Sequence, residues 1–235
     1  MILGLVSDAH GNAVGLEGCL DALARQGAER ICFLGDAVGY LPEENAVLDL
    51  LRSREVSCLR GNHEAMLLGE LAIPEGRDTV YRLAEARTRV TARNRAWIRT
   101  WPDRLELELD GCRLLLVHGS PADPLQGYVY PDSDLTPMCG LPFEAVAMGH
   151  THRPFIARAG AVTVLNVGSS GMPRDAGSLA SCAVYDSVTR TGEILRVRFD
   201  GPGLAAQWAD RIDDSAAAVL LRTARGSVTG RVVSA

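Results

Sequence analysis

The sequence predicts an α/β protein: a parallel β-α-β-α-β half, then a half of shorter, largely antiparallel strands. Three observations lead there. Apolar runs at 1–6, 31–34 and 56–59 do not alternate with polar residues, as strands buried on both faces do not. Helix-length segments with start signals separate these runs. Beyond residue 104 the spacing shortens to strand-and-turn units.

Each element has a local reason. Asn12 is placed to cap a helix running to about Gln26, with Leu16, Leu20 and Leu23 on one face and Gly27 as its stop. Pro42 precedes a second helix over Glu43–Arg52, and a third opens at Asn62. A long charged helix is expected over about Thr79–Thr100, with Val80, Leu83, Val90 and Ile98 facing the core. Leu105–Leu109 alternates apolar and acidic residues, and Asp110-Gly111 turns it into Arg113–Val117, a hairpin with one exposed face. Residues 119–142 carry five prolines and no periodicity. A loop of that length directly after His118 is expected to act as a lid or to bind substrate. Short strands are expected at 145–148, 155–158, 162–166, 180–185 and 193–199, forming a second sheet. Gly203–Arg222 reads as helical, and the last dozen residues carry no strong signal.

The net charge of −5 disfavours stable nucleic-acid binding, which depends on phosphate contacts. All 24 basic residues are arginine, which excludes Schiff-base chemistry and a lysine-bearing phosphate loop. The six cysteines form no Cys-x-x-Cys pair, and the N-terminal apolar run is too short for a signal peptide or a membrane span. A soluble protein of the reducing cytoplasm is the expectation.

All five histidines fall where an apolar run meets a turn. The clusters are Ser7-Asp8-Ala9-His10, Gly35-Asp36, Gly61-Asn62-His63-Glu64, His118-Gly119 and Gly149-His150-Thr151-His152. Singly, each has an ordinary reading: Asp8 caps a turn, Asn62 caps a helix, His118 packs in a core. Jointly, imidazoles, carboxylates and one amide oxygen at strand ends suit a pair of divalent metals. The carboxyl ends of strands are also where open α/β sheets bind ligands.

In these motifs, their order and their spacing the chain resembles the calcineurin-like metallophosphoesterases. Gly35-Asp36-Ala37-Val38-Gly39-Tyr40, His118-Gly119-Ser120-Pro121 and Asn166-Val167-Gly168-Ser169 resemble its small bacterial phosphodiesterase branch. The likeness spans about residues 1–200. It implies a four-layer α/β/β/α sandwich of two mixed sheets with a dinuclear metal site at the strand ends. Residues 1–202 would form that domain, and 203–235 a C-terminal helical extension and tail. The resemblance further implies one metal on Asp8, His10, Asp36 and His152. A second would lie on Asp36, Asn62, His118 and His150, with Asp36 bridging. Manganese, iron or zinc would suit these ligands. A hydroxide shared by the metals would attack phosphorus in line with the leaving group. His63, left off the metals, would neutralise phosphoryl charge or protonate the leaving oxygen, with Asp8 orienting it.

Tyr40, Arg60, Tyr128, Tyr130, Arg153 and Arg174 are candidates for substrate contact, arginine for phosphate oxygens and tyrosine for a base. The expected activity is a phosphodiesterase on a small or nucleotide-like phosphoester. The alternatives are a phosphomonoesterase, a Ser/Thr protein phosphatase, a dinucleoside polyphosphate hydrolase and a non-catalytic scaffold. Arg60-Gly61-Asn62-His63-Glu64 is the protein phosphatase spelling, with Glu64 where the bacterial branch usually has Asp. Val38-Gly39-Tyr40-Leu41 departs from the protein phosphatase pattern. A scaffold tends to lose the histidines corresponding to His10 or His63, and both are present.

Overall fold

The computed structural model describes residues 1–224 and 226–234. Two mixed sheets stack face to face. The first half supplies β1 (Ile2–Val6), α1 (Ala13–Arg25), β2 (Arg30–Phe33), α2 (Glu44–Ser53), β3 (Ser57–Cys58) and α3 (Asn62–Leu68). Three short helices follow: α4 (Asp78–Tyr81), α5 (Leu83–Arg89) and α6 (Ala92–Ile98). Then come β4 (Arg104–Leu109), β5 (Cys112–Val117), β6 (Ala145–Met148), β7 (Phe155–Ala159), β8 (Val162–Asn166), β9 (Leu179–Asp186) and β10 (Thr191–Arg198). The chain closes with α7 (Gly201–Gln207), α8 (Asp214–Leu220) and β11 (Arg231–Val233). Among the described residues no helix is long and apolar enough to cross a membrane.

Strand order is β11-β10-β9-β1-β2-β3 in one sheet and β4-β5-β6-β8-β7 in the other. In the first, β1, β2 and β3 are parallel, with Val6 opposite Phe33 and Phe33 opposite Cys58. In the second, β5, β6 and β8 are parallel, with Leu116 opposite Ala147 and Met148 opposite Asn166. That register ends three strands of each sheet level with one another. The loops after β1, β2, β3, β5, β6 and β8 therefore leave at matched heights.

The helices form as their local signals direct. Asn12 Oδ1 accepts the Gly15 N–H at 2.9 Å, and Leu16, Cys19, Leu20 and Leu23 are buried on one face of α1. Each aliphatic side chain buried there stabilises the layer by about 1.5–3 kcal/mol. One core lies between the first sheet and its helices, a second between the sheets through Leu5, Leu34, Leu116 and Leu165. The outer face of the second sheet is covered by residues 119–142. Val129 and Met138 pack there beside Phe143, and one 3₁₀ turn spans Thr136–Met138.

Four expectations are corrected. The helix expected over 79–100 is three helices. Arg82 turns left-handed (φ 57°) and Val90 is extended (ψ 121°), while Thr91 Oγ1 caps a new start at the Asn94 N–H. The strands at 180–185 and 193–199 belong to the first sheet, where β9 lies antiparallel to β1, so periodicity found them but not their partner. Without them the second sheet is mixed rather than largely antiparallel. The helix expected over 203–222 breaks in two, because Asp213 accepts the Ser215 N–H and starts α8 afresh. In the tail without strong signal, β11 adds an edge strand parallel to β10.

Candidate dinuclear metal centre

The loops at the level strand ends are forced into unusual backbone. Asp8, His10, Asp36, His150 and His152 all have φ between 48° and 67°. Asp and His enter this region more readily than most residues, and such strain persists only where surroundings over-determine it. Here they do. Asp8 N–H donates to Gly35 O, His10 N–H to Asp36 O and Gly171 N–H to Asp8 O. The Glu64 carboxylate accepts the Asp36, Ala37 and Gly61 N–H groups at 2.7–2.8 Å. A Cβ on Gly61 would lie 2.1 Å from Asp36 Oδ1, so only glycine lets that carboxylate sit there. Asn166 Nδ2 donates to Gly149 O and Thr151 Oγ1, and Ser169 Oγ donates to Asp8 O. The Asn166–Ser169 segment thus ties the His150 loop to the Asp8 loop.

Side chains from these loops gather in two groups that meet at Asp36. In the first, His10 Nε2 lies 3.0 Å from His152 Nε2, 3.8 Å from Asp8 Oδ1 and 3.6 Å from Asp36 Oδ2. His152 Nε2 is 3.2 Å from Asp8 Oδ1. In the second, His118 Nε2 lies 3.0 Å from Asn62 Oδ1, 3.0 Å from His150 Nδ1 and 3.4 Å from Asp36 Oδ2.

These residues fit a pair of cations. A carbonyl only accepts, so His10 Nδ1 donates to Val38 O, His118 Nδ1 to Leu34 O and His152 Nδ1 to Met172 O. With Nδ1 so engaged, each Nε2 faces the site, where, deprotonated, it presents a lone pair. His10 Nε2 and His152 Nε2 face each other at 3.0 Å, so a cation between them would take a lone pair from each. Asp8 Oδ1 is buried with no hydrogen-bond partner among the described residues. Separations of this size are the edges of ligand sets bound at about 2.0–2.2 Å.

The electrostatics agree. Burial pushes His10 well below the ordinary imidazole range and His150 down to about 3. Burial alone would raise Asp8 and Asp36, but the imidazoles beside them, His152 for Asp8 and His118 for Asp36, hold both below the usual carboxylate range. Burial also opposes charge on His118, yet the Asp36 carboxylate raises it to about 9. That proton is the positive charge a divalent ion would replace. Ionised carboxylates with mostly neutral imidazoles are what metal binding requires.

His63 sits apart. Its Nδ1 donates to Val38 O at 3.2 Å, its backbone N–H donates to Asp36 Oδ1 at 2.9 Å, and its Nε2 is 4.0 Å from Asp36 Oδ2. Among the described residues Asp8 makes no hydrogen bond to His63: it accepts the His150 N–H and faces His152, while Val38 and Asp36 hold His63. Tyr40 stacks on the ring (5.3 Å, 12°), and Tyr81 meets it at 4.6 Å. Tyr81 escaped sequence reading because it fell within an expected surface helix.

His63, Tyr40, Tyr81, Tyr128 and Arg174 line the mouth of the centre, a cavity of about 20 Å³. Tyr128, from the proline-rich loop, packs against His150 at 4.1 Å and parallel to Tyr130 at 5.9 Å, yet stays 55% exposed. Arg153 lines an adjoining groove. Arg60 is not brought to the centre: its guanidinium pairs with Asp103 and Glu70.

The profile of the calcineurin-like phosphoesterase superfamily domain matches residues 1–190. An uncharacterized protein of Methanocaldococcus jannaschii is 26% identical over 218 residues, covering 85% of this chain and 88% of that protein. A metallophosphoesterase crystal structure from Sphaerobacter thermophilus superposes with a TM-score of 0.78 at 24% identity, covering 94% and 99% of the two chains. A hypothetical protein from Pyrococcus horikoshii OT3 superposes with a TM-score of 0.80 at 19% identity, covering 99% of each.

Proposed function

This chain belongs to the calcineurin-like phosphoesterase superfamily, and we propose that it is a dinuclear metal-dependent phosphodiesterase acting on small or nucleotide-like phosphodiesters. The observation supporting this reading is the pair of ligand groups meeting at Asp36, with a fifth imidazole, His63, beside His10 and Asp36, its Nε2 4.0 Å from Asp36 Oδ2 and its Nδ1 tied to Val38 O. Asp8, His10, Asp36 and His152 would hold one ion; Asp36, Asn62, His118 and His150 would hold the other. Manganese, iron or zinc suits this mixed nitrogen and oxygen set. Such ions supply Lewis acidity and a nucleophile at neutral pH.

The chain's own residues do the rest. Val38 O fixes the His63 proton on Nδ1 and aims Nε2 at the cavity. Burial pushes this imidazole below its ordinary range, so it is neutral until an anion arrives. A phosphoryl group beside it favours the protonated ring, which can then donate from Nε2 to the leaving oxygen. Tyr40 and Tyr81 prevent the ring from turning away.

The preference for a diester rests on the walls. Tyr40, Tyr81 and Tyr128 surround the opening with Arg174 as its cation, which suits a singly charged phosphate with organic groups on both oxygens. The exposed Tyr128–Tyr130 pair offers a platform for a base. We take residues 1–202 as the catalytic domain and 203–235 as an extension whose two helices are followed by a return to the first sheet at edge strand β11. Leu204, Ala216 and Leu220 of that extension pack with Leu41 and Met172 behind the site. The six cysteines are free thiols, which supports a reducing, cytoplasmic setting. Paired assays of the metal-loaded protein on bis(4-nitrophenyl) phosphate and 4-nitrophenyl phosphate test the proposal. The expected result is a diester kcat/KM at least about tenfold higher, a 1.4 kcal/mol difference; a faster monoester defeats it.

A further inference from the structure

Beside the metal centre runs a groove of about 590 Å³ lined by Arg153, Arg174 and Arg222, with Asp175 and Leu221. Arg174 also lines the metal cavity, so the two spaces adjoin through one side chain. The acidic member of the groove is already committed: buried Arg196 donates to Asp175 Oδ2 at 2.5 Å and to Oδ1 at 2.9 Å. The guanidinium groups of Arg153 and Arg174 have no carboxylate partner within ion-pair distance among the described residues. Three guanidinium groups therefore share one groove whose own acidic side chain is taken, and among the described residues Asp132 lines a neighbouring pocket with Arg153 without an ion pair to it.

Their positions are wired to the ligand loops. Arg153 directly follows His152, and the Arg174 N–H donates to His152 O at 3.2 Å. Arg222 comes from the segment after α8, beyond the part of the chain that the family profile matches. It is held by Nη1 donating to Arg174 O at 2.6 Å and by its own carbonyl accepting the Gly177 N–H at 2.8 Å. The C-terminal extension thus delivers a cation to the edge of the metal centre.

We propose that this groove is a subsite for a second phosphoryl group, so that the substrate carries two or more phosphoryl groups in series. Guanidinium forks match phosphate oxygens, with two N–H groups donating to one group. With the scissile phosphoryl at the ligand cluster, Arg174 meets the next group along the chain, and Arg153 and Arg222 hold its outer oxygens. This inference rests on the hydrolytic reading above for the direction of the chain, but the binding subsite can be tested without turnover.

The first arm is calorimetric titration of the full-length, metal-free protein with inorganic pyrophosphate, and with inorganic phosphate for comparison. Pyrophosphate should bind more tightly than phosphate, and Arg153→Gln and Arg222→Gln should each raise its Kd about tenfold or more, as expected for losing a charge-assisted contact. Equal Kd values in both variants and wild type overturn the subsite. Arg222→Gln also removes a bond to the Arg174 carbonyl, whereas the Arg153 guanidinium binds no protein carbonyl among the described residues. An effect confined to Arg222→Gln, with a lowered Tm, marks a structural role and overturns the proposal too. In the second arm, with the metal-loaded enzyme, Arg153→Gln should lower kcat/KM for a dinucleoside tetraphosphate, relative to bis(4-nitrophenyl) phosphate, by about tenfold. An unchanged ratio overturns the subsite. A wild-type enzyme that hydrolyses neither compound refutes the hydrolytic reading alone, and the titration still decides the subsite.

Discussion

Glu64→Gln is the substitution whose cost the structure specifies most closely. The carboxylate is fully buried, and its Oε2 accepts the Asp36 N–H at 2.7 Å and the Gly61 N–H at 2.8 Å. Oε1 accepts the Ala37 N–H at 2.8 Å. An amide keeps one acceptor oxygen and turns the other position into a donor that faces an N–H. If the oxygen serves Asp36 and Gly61, the Ala37 N–H is left buried and unpaired. Burial and the Asp36 carboxylate raise the Glu64 carboxyl to about 7, so above that pH the acceptor is charged, and losing a hydrogen bond to it while orphaning its donor costs about 2–4 kcal/mol. In a chain of this length each kcal/mol lowers Tm by about 2–4 °C, so a drop of about 5–15 °C is expected. Scanning calorimetry of metal-free protein is the assay, because bound metal would add its own stabilisation. A drop smaller than about 2 °C, at most about one kcal/mol, would refute the claim that Glu64 clamps the Asp36 loop.

Three further outcomes follow from particular contacts. Arg196→Met removes the buried partner of Asp175, which is 22% exposed and can recover some hydration, so urea denaturation should show a loss of about 2–4 kcal/mol; no loss would mean the pair contributes nothing net. Asn166→Ala frees Gly149 O and Thr151 Oγ1 and loosens the His150 loop, so zinc affinity should fall about 10–100-fold in competition with a chelating dye. Tyr128→Ala should leave Tm within about 1 °C because the ring is exposed, yet raise KM for a nucleotide diester about 5–150-fold if the ring stacks on a base.

The sequence made much of this molecule readable because its signals were local. Apolar runs located β1, β2, β6 and β8, and Asn12 marked the start of α1. Strand ends in a parallel sheet open onto one crevice, so clusters ending at Asp8, Asp36, Asn62, His118 and His150 could be expected to converge. What was not readable was decided at long range. The partner of β9 is β1, some 180 residues away, and no period in either strand encodes that choice. Arg60 carried a phosphate-binding side chain next to a site motif, but Asp103 and Glu70 claim it. Tyr81, which meets His63, ends α4 just before left-handed Arg82, a break that the charged pattern over 79–100 concealed. The carboxylate beside His63 is Asp36 rather than Asp8, since backbone direction at the two loops decides which one faces it.

The central claim is that Asp36 joins two metal ions while His63 stands off them. It is tested by metal analysis of purified wild-type, Asp36→Ala and His63→Ala protein after loading with zinc or manganese, alongside hydrolysis of bis(4-nitrophenyl) phosphate. About two ions per chain are expected in wild type and His63→Ala, and fewer than about one in Asp36→Ala, with turnover lost in both variants. Full loading of Asp36→Ala, or equal metal loss in the two variants, would contradict the account.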